Sequence, residues 1–154
     1  MNYTEWLQTV PEELTGDPLW RNEVYRLAVF AGESAWADVT RLGQDPRTRS
    51  LSDQLSRAVG SVGANIAEGY SRSSGKDEAR LHEYALGSAR EARHWHYQSR
   101  QLLTDAVVDH RLKLLTQIIR LLLTMIPNER QRRLAESQSG YVIDTSLLDN
   151  PPQP

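Results

Sequence analysis

The sequence predicts an all-α protein, an antiparallel up-down-up-down four-helix bundle with a short N-terminal helical segment and a loose C-terminal tail. Three observations support this prediction. Apolar residues recur at three- and four-residue spacing through most of the 154 residues, as they do on one face of a helix. The alternation typical of strands is missing ahead of the tail. Four long periodic stretches are separated by short connections containing Gly, Pro or Ser, and short connections make successive helices antiparallel neighbours.

The first long helix is predicted to run from Pro18 to Leu42. Asp17 offers an N-cap acceptor, and a proline at the first helical position has a favourable fixed φ. Its apolar stripe contains Leu27, Ala28, Ala31, Ala35, Val39 and Leu42. Trp36 lies off this stripe, so we expect aromatic surface to remain for a further contact.

The second helix is predicted from Thr48 to Tyr70 and has an unusually small-sided surface that includes Gly60 and Gly63. A glycine inside a helix costs about 0.5–1 kcal/mol relative to alanine. Close approach of a neighbouring helix is the simplest reason to keep glycine at these positions.

The third helix is predicted to begin near Ser74, with Asp77 completing a capping box, and to run to about Leu103. Its inward face is predicted to contain Leu81, Tyr84, Ala85, Ser88, Ala92, Trp95, Ser99 and Leu102.

The fourth helix is predicted to start between Asp105 and Asp109 and to kink or end at Pro127. Its apolar residues cover more than half of the circumference, since Leu114 and Leu123 lie off the main stripe. Such a helix is either central in a large core or shared with another chain. No helix is central in a four-helix bundle, so sharing is the expectation.

These boundaries divide the chain into an N-terminal extension (1–16), a bundle domain (17–127) and a C-terminal extension (128–154), partly helical and then irregular. The first residues lack the basic and apolar regions of a signal peptide. The most apolar stretch, 114–126, is shorter than the roughly 20 residues of a membrane span. With no cysteine in the chain, these features predict a cytoplasmic protein that does not enter membranes.

No pattern in the sequence specifies catalysis, so the chain is predicted not to be an enzyme, with no catalytic, cofactor-binding or metal-binding residues. There is no Gly-x-Ser-x-Gly elbow and no phosphate-binding glycine loop. Glu91 and His94 form one Glu-x-x-His pair, but a carboxylate-bridged metal centre needs that pair twice. Glu78 and His82, four residues apart, are predicted to pair on the surface.

Asn65, Glu68 and Arg72 follow one another at three- and four-residue spacing and share a helix face. Together with Glu91 of the next helix they are predicted to form a polar packing or interface ladder. A ladder of this kind fixes the register between helices or subunits, as buried polar residues do in coiled coils.

Charge is unevenly distributed. Residues 47–133 carry fifteen Lys and Arg against nine acids, and both flanking segments are acidic. A basic segment permits an anionic partner, with candidate nucleic-acid contacts at Arg72, Lys76, Arg80 and Arg93. Interspersed acids and a sequence pI near 6.1 favour the simpler interpretation of a solvated surface.

Residues 17–125 resemble the four-helix-bundle family encoded in intervening sequences of bacterial 23S ribosomal RNA genes. The resemblance lies in four stretches: Asp17-x2-Trp20, Gln54-Leu55-x-Arg57-Ala58, Asn65-Ile66-Ala67-Glu68-Gly69-Tyr70-x-Arg72 and Ala85-x-Gly87-Ser88-x2-Glu91. The chain departs from the family where Ser61-Val62-Gly63-Ala64 stands in place of the usual Ser-Ile-Pro-Ser.

This resemblance implies an antiparallel four-helix bundle that assembles as a ring, typically a homopentamer, with no established activity. Basic relatives of similar fold act as accessory factors that bind RNA and a reverse transcriptase. From the sequence we therefore expect a non-enzymatic, self-associating bundle that binds other copies of itself and presents a surface to a protein partner. An RNA-binding accessory protein is the alternative.

Overall fold

The computed structural model describes residues 1–131 and residue 152, and the described part of the chain is all-α, without strands. The six α-helices are α1 (Tyr3–Leu7), α2 (Glu12–Thr15), α3 (Glu23–Gln44), α4 (Arg49–Tyr70), α5 (Gly75–Gln98) and α6 (Asp105–Gln131). Single 3-10 turns precede α3 and follow α5. The all-α class predicted from the sequence is confirmed.

The start of the first long helix was predicted wrongly. Asp17 does accept a hydrogen bond from the amide of Leu19 at 2.8 Å, but the element that it caps is only a 3-10 turn. Asn22 then caps α3 by accepting from the amides of Val24 and Tyr25 at 3.0 and 3.3 Å. The side chain of Asn22 thus satisfies amides that the first helical turn leaves free, and α3 begins at Glu23.

Two further helix signals also behave differently. Ser74 precedes α5, but its side chain makes no capping hydrogen bond, so the predicted capping box with Asp77 does not form. Pro127 lies inside α6, which continues to Gln131. Of the two predicted outcomes at Pro127, a kink or the end of the helix, the end is therefore wrong. The remainder of the predicted C-terminal extension, except residue 152, lies outside the described residues.

The four long helices share one apolar core. α4 packs against α3 and α5, α5 packs against α6, and α6 also contacts α3. Leu114, predicted to face another chain, is fully buried in this core, whereas Leu123 is 47% exposed. The surplus apolar surface of α6 is therefore smaller than its sequence indicates.

The N-terminal segment packs onto the same core. Trp6 is only 3% exposed, and its ring lies 5.2 Å from Phe30 of α3. Tyr3 meets Phe30 edge to face at 5.1 Å. Burial of these rings attaches the first helical turn to α3. Within the described residues, the search for a helix both long and apolar enough to traverse a bilayer finds none.

Candidate functional site

A groove of about 610 Å³ runs between α3 and α4. We call it the α3–α4 groove and define it by its lining residues: Tyr25, Ala28, Val29, Gly32, Glu33, Trp36, Val59, Gly60, Gly63, Ala64 and Ala67. Apart from Glu33 the lining is apolar or small. Such a surface can receive a helix or an apolar side chain but offers almost no group for chemistry.

Two residues of the α3–α4 groove have no explanation within a single chain. Trp36 is 74% exposed, the most exposed of the large apolar side chains described. A Cβ atom added at Gly60 would meet no other atom within 4 Å. The close helix approach expected at Gly60 therefore does not come from this chain's own α3.

The predicted polar ladder forms only in part. Arg72 pairs with Glu68 on the surface of α4, but Asn65 donates to the backbone carbonyl of Ser61, one turn earlier, at 2.8 Å. Glu91 accepts a hydrogen bond from the indole Nε1 of Trp95 at 3.2 Å, within α5. The structure does not join Glu91 to the residues of α4 by a hydrogen bond.

The candidate nucleic-acid contacts are mostly engaged with neighbours. Arg72 pairs with Glu68, and Arg80 lies 3.6 Å from a carboxylate oxygen of Asp77. Arg93 is half-buried and donates to the hydroxyl of Thr116 at 3.1 Å. Lys76 is exposed. Three of the four candidate cations thus already have a polar or acidic partner.

A buried charged cluster, which sequence reasoning did not identify, joins α3, α5 and α6. Asp38 is fully buried and accepts from Arg111 Nε at 2.7 Å and from Arg111 Nη2 at 3.2 Å. His96 Nε2 lies 3.3 Å from the same carboxylate, and its Nδ1 lies 3.1 Å from the carbonyl of Ala92. Arg111 Nη2 also donates to the carbonyl of Ser34 at 3.1 Å.

The partners of Asp38 decide its charge. Burial alone raises the pKa of this carboxyl, but hydrogen bonds from His96 and Arg111 outweigh burial, so the pKa lies below its usual value. Asp38 is therefore an ionised group held by two cationic or donating side chains. The cluster connects three helices, and all three of its side chains are buried.

Acid should weaken the bundle through this cluster. Because the pKa of Asp38 is lowered on folding, the stability that it contributes is complete above the unfolded pKa of about 3.9 and is lost as pH falls through the folded value. We expect urea unfolding to show a decrease in stability below about pH 4 that is smaller in Asp38→Asn. Asp45, whose pKa is about 2, titrates in both proteins, so the difference between them isolates Asp38. Identical pH profiles would contradict the assignment.

A second buried histidine lies between α4, α5 and α6. His82 is fully buried; its Nδ1 lies 2.8 Å from Oε1 of Glu129 and its Nε2 lies 3.3 Å from the carbonyl of Ile66. Burial lowers the pKa of His82, but hydrogen bonding and the charge of Glu129 outweigh it, so the pKa lies above its usual value. Burial and the charge of Glu129 raise the pKa of Glu78. Glu78 and His82 were predicted to pair on the surface, and the surface position is wrong because His82 is fully buried.

Gly69 leaves the space that His82 occupies. A Cβ atom at this position would lie 2.8 Å from both Cδ2 and Nε2 of the imidazole and 3.2 Å from the carbonyl of Glu78. These distances are below ordinary van der Waals contact. The glycine of the Asn65–Tyr70 stretch therefore has a packing role that its sequence did not reveal.

Sequence reasoning missed both histidines because it assigned the inward face of α5 by hydrophobicity. Tyr84 was predicted to face inward but is 55% exposed. Leu81, Ala85 and Ala92, also predicted to face inward, are buried. Beside them lies a second buried stripe at four- and three-residue spacing: Gly75, Ala79, His82, Leu86, Ala89 and, one heptad later, His96. That spacing was the signal that could have identified His82 and His96.

Comparison with known proteins gives one match. A family model described as 23S rRNA-intervening sequence protein matches residues 21–124, from the turn before α3 to the second half of α6. No curated protein and no solved structure matches the sequence. The matched region contains the α3–α4 groove and the cluster around Asp38.

Proposed function

Because the chain belongs to the 23S rRNA-intervening sequence protein family, we propose that it is a non-enzymatic helical scaffold that self-associates through the α3–α4 groove. The four long helices form an up-down-up-down bundle, and several bundles close into a homo-oligomeric ring, with five copies the expected number. The assembly works in the cytoplasm as a surface for a partner. A membrane has no part in this function.

The observation that carries the proposal is the coincidence of Trp36 and Gly60 in one groove. Gly60 lowers helix stability by about 0.5–1 kcal/mol relative to alanine, yet the chain itself places nothing near its Cβ position. Trp36 leaves most of its ring in water. A helix of a second copy lying in the groove accounts for both, and a buried interface tryptophan commonly contributes about 2 kcal/mol or more.

Helix pairing supports the bundle topology. Ser52 on α4 donates to the carbonyl of Val39 on α3, whereas Gly63, farther along α4, lies near Ala28, earlier on α3. When later residues of one helix contact earlier residues of the other, the two helices run antiparallel. The α5–α6 pair follows the same rule, with Arg130 next to Glu83 and Thr116 next to Arg93.

The RNA-binding alternative has weaker support. Binding of phosphates needs several converging cations that are free to neutralise them, but Arg72 and Arg80 already pair with acids. The sequence pI near 6.1 also gives no general attraction to a polyanion at neutral pH.

Light scattering coupled to size-exclusion chromatography tests the proposal. We expect the full chain at micromolar concentration to elute as one species of about five times the 17.5 kDa chain mass, free of nucleic-acid absorbance. Trp36→Ser should shift this species toward smaller ones, with association weakened by about 30-fold or more, since about 2 kcal/mol of interface energy is lost.

Leu14→Ser is the matched control. Leu14 is an exposed apolar residue, 42% accessible, that lies outside both the groove and the matched region. Its replacement should leave the oligomer unchanged. A wild-type monomer at micromolar concentration would overturn the proposal, and RNA in the oligomer peak would favour the RNA-binding alternative.

A further inference from the structure

Three potential metal ligands from two helices converge beside the end of α4. One ligand atom each from Glu78, His82 and Glu129 lies within 4.8 Å of the other two. His82 is fully buried, and the side chain of Glu129 is 13% exposed. One imidazole and two carboxylates are a donor set that suits a divalent first-row transition metal.

The imidazole of His82 is oriented by a backbone carbonyl, as the imidazoles of metal-binding histidines often are. Its Nε2 faces the backbone carbonyl of Ile66, which can only accept a hydrogen bond, and a proton on Nε2 leaves Nδ1 available to a metal ion. A backbone carbonyl bonded to the second ring nitrogen is the usual way in which proteins orient a histidine ligand. The lone pair of Nδ1 then points at Oε1 of Glu129, 2.8 Å away.

Two lone pairs that face each other at this distance repel, so a proton or a metal ion must be bound at these two atoms. A neutral imidazole carries one N–H and cannot donate to both oxygens. Either a second proton on Nδ1 or a metal ion bound by Nδ1 and Oε1 removes the repulsion. The two explanations predict different behaviour toward metal.

Two further observations favour the metal. Oε2 of Glu129 is buried and has no hydrogen-bond partner among the described residues, and such an atom destabilises the fold unless something binds it. The carboxylate of Glu78 is half-buried, with a ligand oxygen within 4.8 Å of that of Glu129, and two carboxylates this close repel unless a cation lies between them. The next cation in sequence, Arg130, pairs with Glu83 instead.

We propose that Glu78, His82 and Glu129 form a mononuclear site for a divalent transition metal such as Zn²⁺, bound through His82 Nδ1 and one oxygen of each carboxylate. The ion links α5 to α6, and water completes its coordination. The site is separate from the α3–α4 groove, so it exists whether or not the chain self-associates. The sequence predicted no metal site, because these ligands come from two helices, α5 and α6, and their proximity arises only on folding.

Calorimetric titration of the chelator-treated full chain with Zn²⁺ tests the site. We expect one saturable site per chain. Glu78→Gln should weaken Zn²⁺ binding by about 100-fold or more, since loss of an outer-shell partner alone typically costs 10–100-fold. The side chain of Glu78 forms no hydrogen bond within the described residues, so this variant should fold normally. Glu129→Gln should weaken binding similarly, and Zn²⁺ should raise the melting temperature of the wild type but not of these two variants.

His94→Gln is the control for adventitious binding, because His94 is exposed and lies outside the cluster. It should bind Zn²⁺ as the wild type does. Absence of a saturable one-to-one site, or equal Zn²⁺ affinity in wild type and Glu78→Gln, would overturn the proposal and leave a second proton on His82 as the explanation of the geometry.

Discussion

Asp38→Asn should lower the free energy of unfolding by about 3–5 kcal/mol. Removal of one partner from a buried charge cluster leaves the other charges uncompensated in the interior, and this cost exceeds the net value of the original pair. Here the uncompensated charge is the guanidinium of Arg111, 1% exposed, and the imidazole of His96 loses the carboxylate that it contacts. Urea unfolding followed by circular dichroism at pH 7 measures the loss.

Two comparisons make the Asp38 result specific. Asp53→Asn changes an exposed aspartate on α4 and should alter stability by less than about 0.5 kcal/mol. Joint replacement of Asp38, His96 and Arg111 by apolar residues of similar volume should cost less than Asp38→Asn alone, because no buried charge is then left unpaired. A loss below about 1 kcal/mol for Asp38→Asn would show that water reaches the cluster.

Gly69→Ala should destabilise the protein by about 1–3 kcal/mol, the usual cost of an added methyl group in a well-packed interior. The new Cβ atom would lie 2.8 Å from two atoms of His82, and the imidazole cannot move without losing its contacts with Ile66 or Glu129. The change in unfolding free energy is measured by urea denaturation.

Gly87→Ala supplies the matched comparison. Gly87 lies within α5, is exposed, and has nothing within 4 Å of its Cβ position. The same substitution there should raise the unfolding free energy by about 0.5–1 kcal/mol, because alanine favours the helix. If both variants shift stability in the same direction, the proposed packing role of Gly69 is wrong.

The long helices were predictable because local signals mark most of their ends. The second long helix was predicted from Thr48 to Tyr70 and observed from Arg49 to Tyr70, since the turn before it contains Pro46. The start of α3 was missed because two caps compete within a few residues. Asp17 is followed by proline and resembles a helix start, but Asn22 caps the longer element. Local sequence does not decide between them.

The buried clusters were not predictable by the same reasoning. Periodicity identifies an inward face by its apolar residues, so histidines and charged residues are assigned to the surface unless their partners are known. Asp38 and Arg111 are 73 residues apart, and only the packing of α3 against α6 makes them partners. Two residues of the α3–α4 groove could be identified from the sequence, because Trp36 lies off the apolar stripe of α3 and Gly60 lies inside α4.

The Asp38 cluster also constrains how the sequence can change over evolutionary time. Lysine cannot replace Arg111 without loss, since it lacks the planar fork that reaches both the carboxylate and the Ser34 carbonyl. A change at only one of these positions gives a protein of low stability, whereas joint replacement of all three by apolar residues leaves no buried charge unpaired. We therefore expect positions 38, 96 and 111 to be inherited and exchanged together among relatives, as one character rather than three.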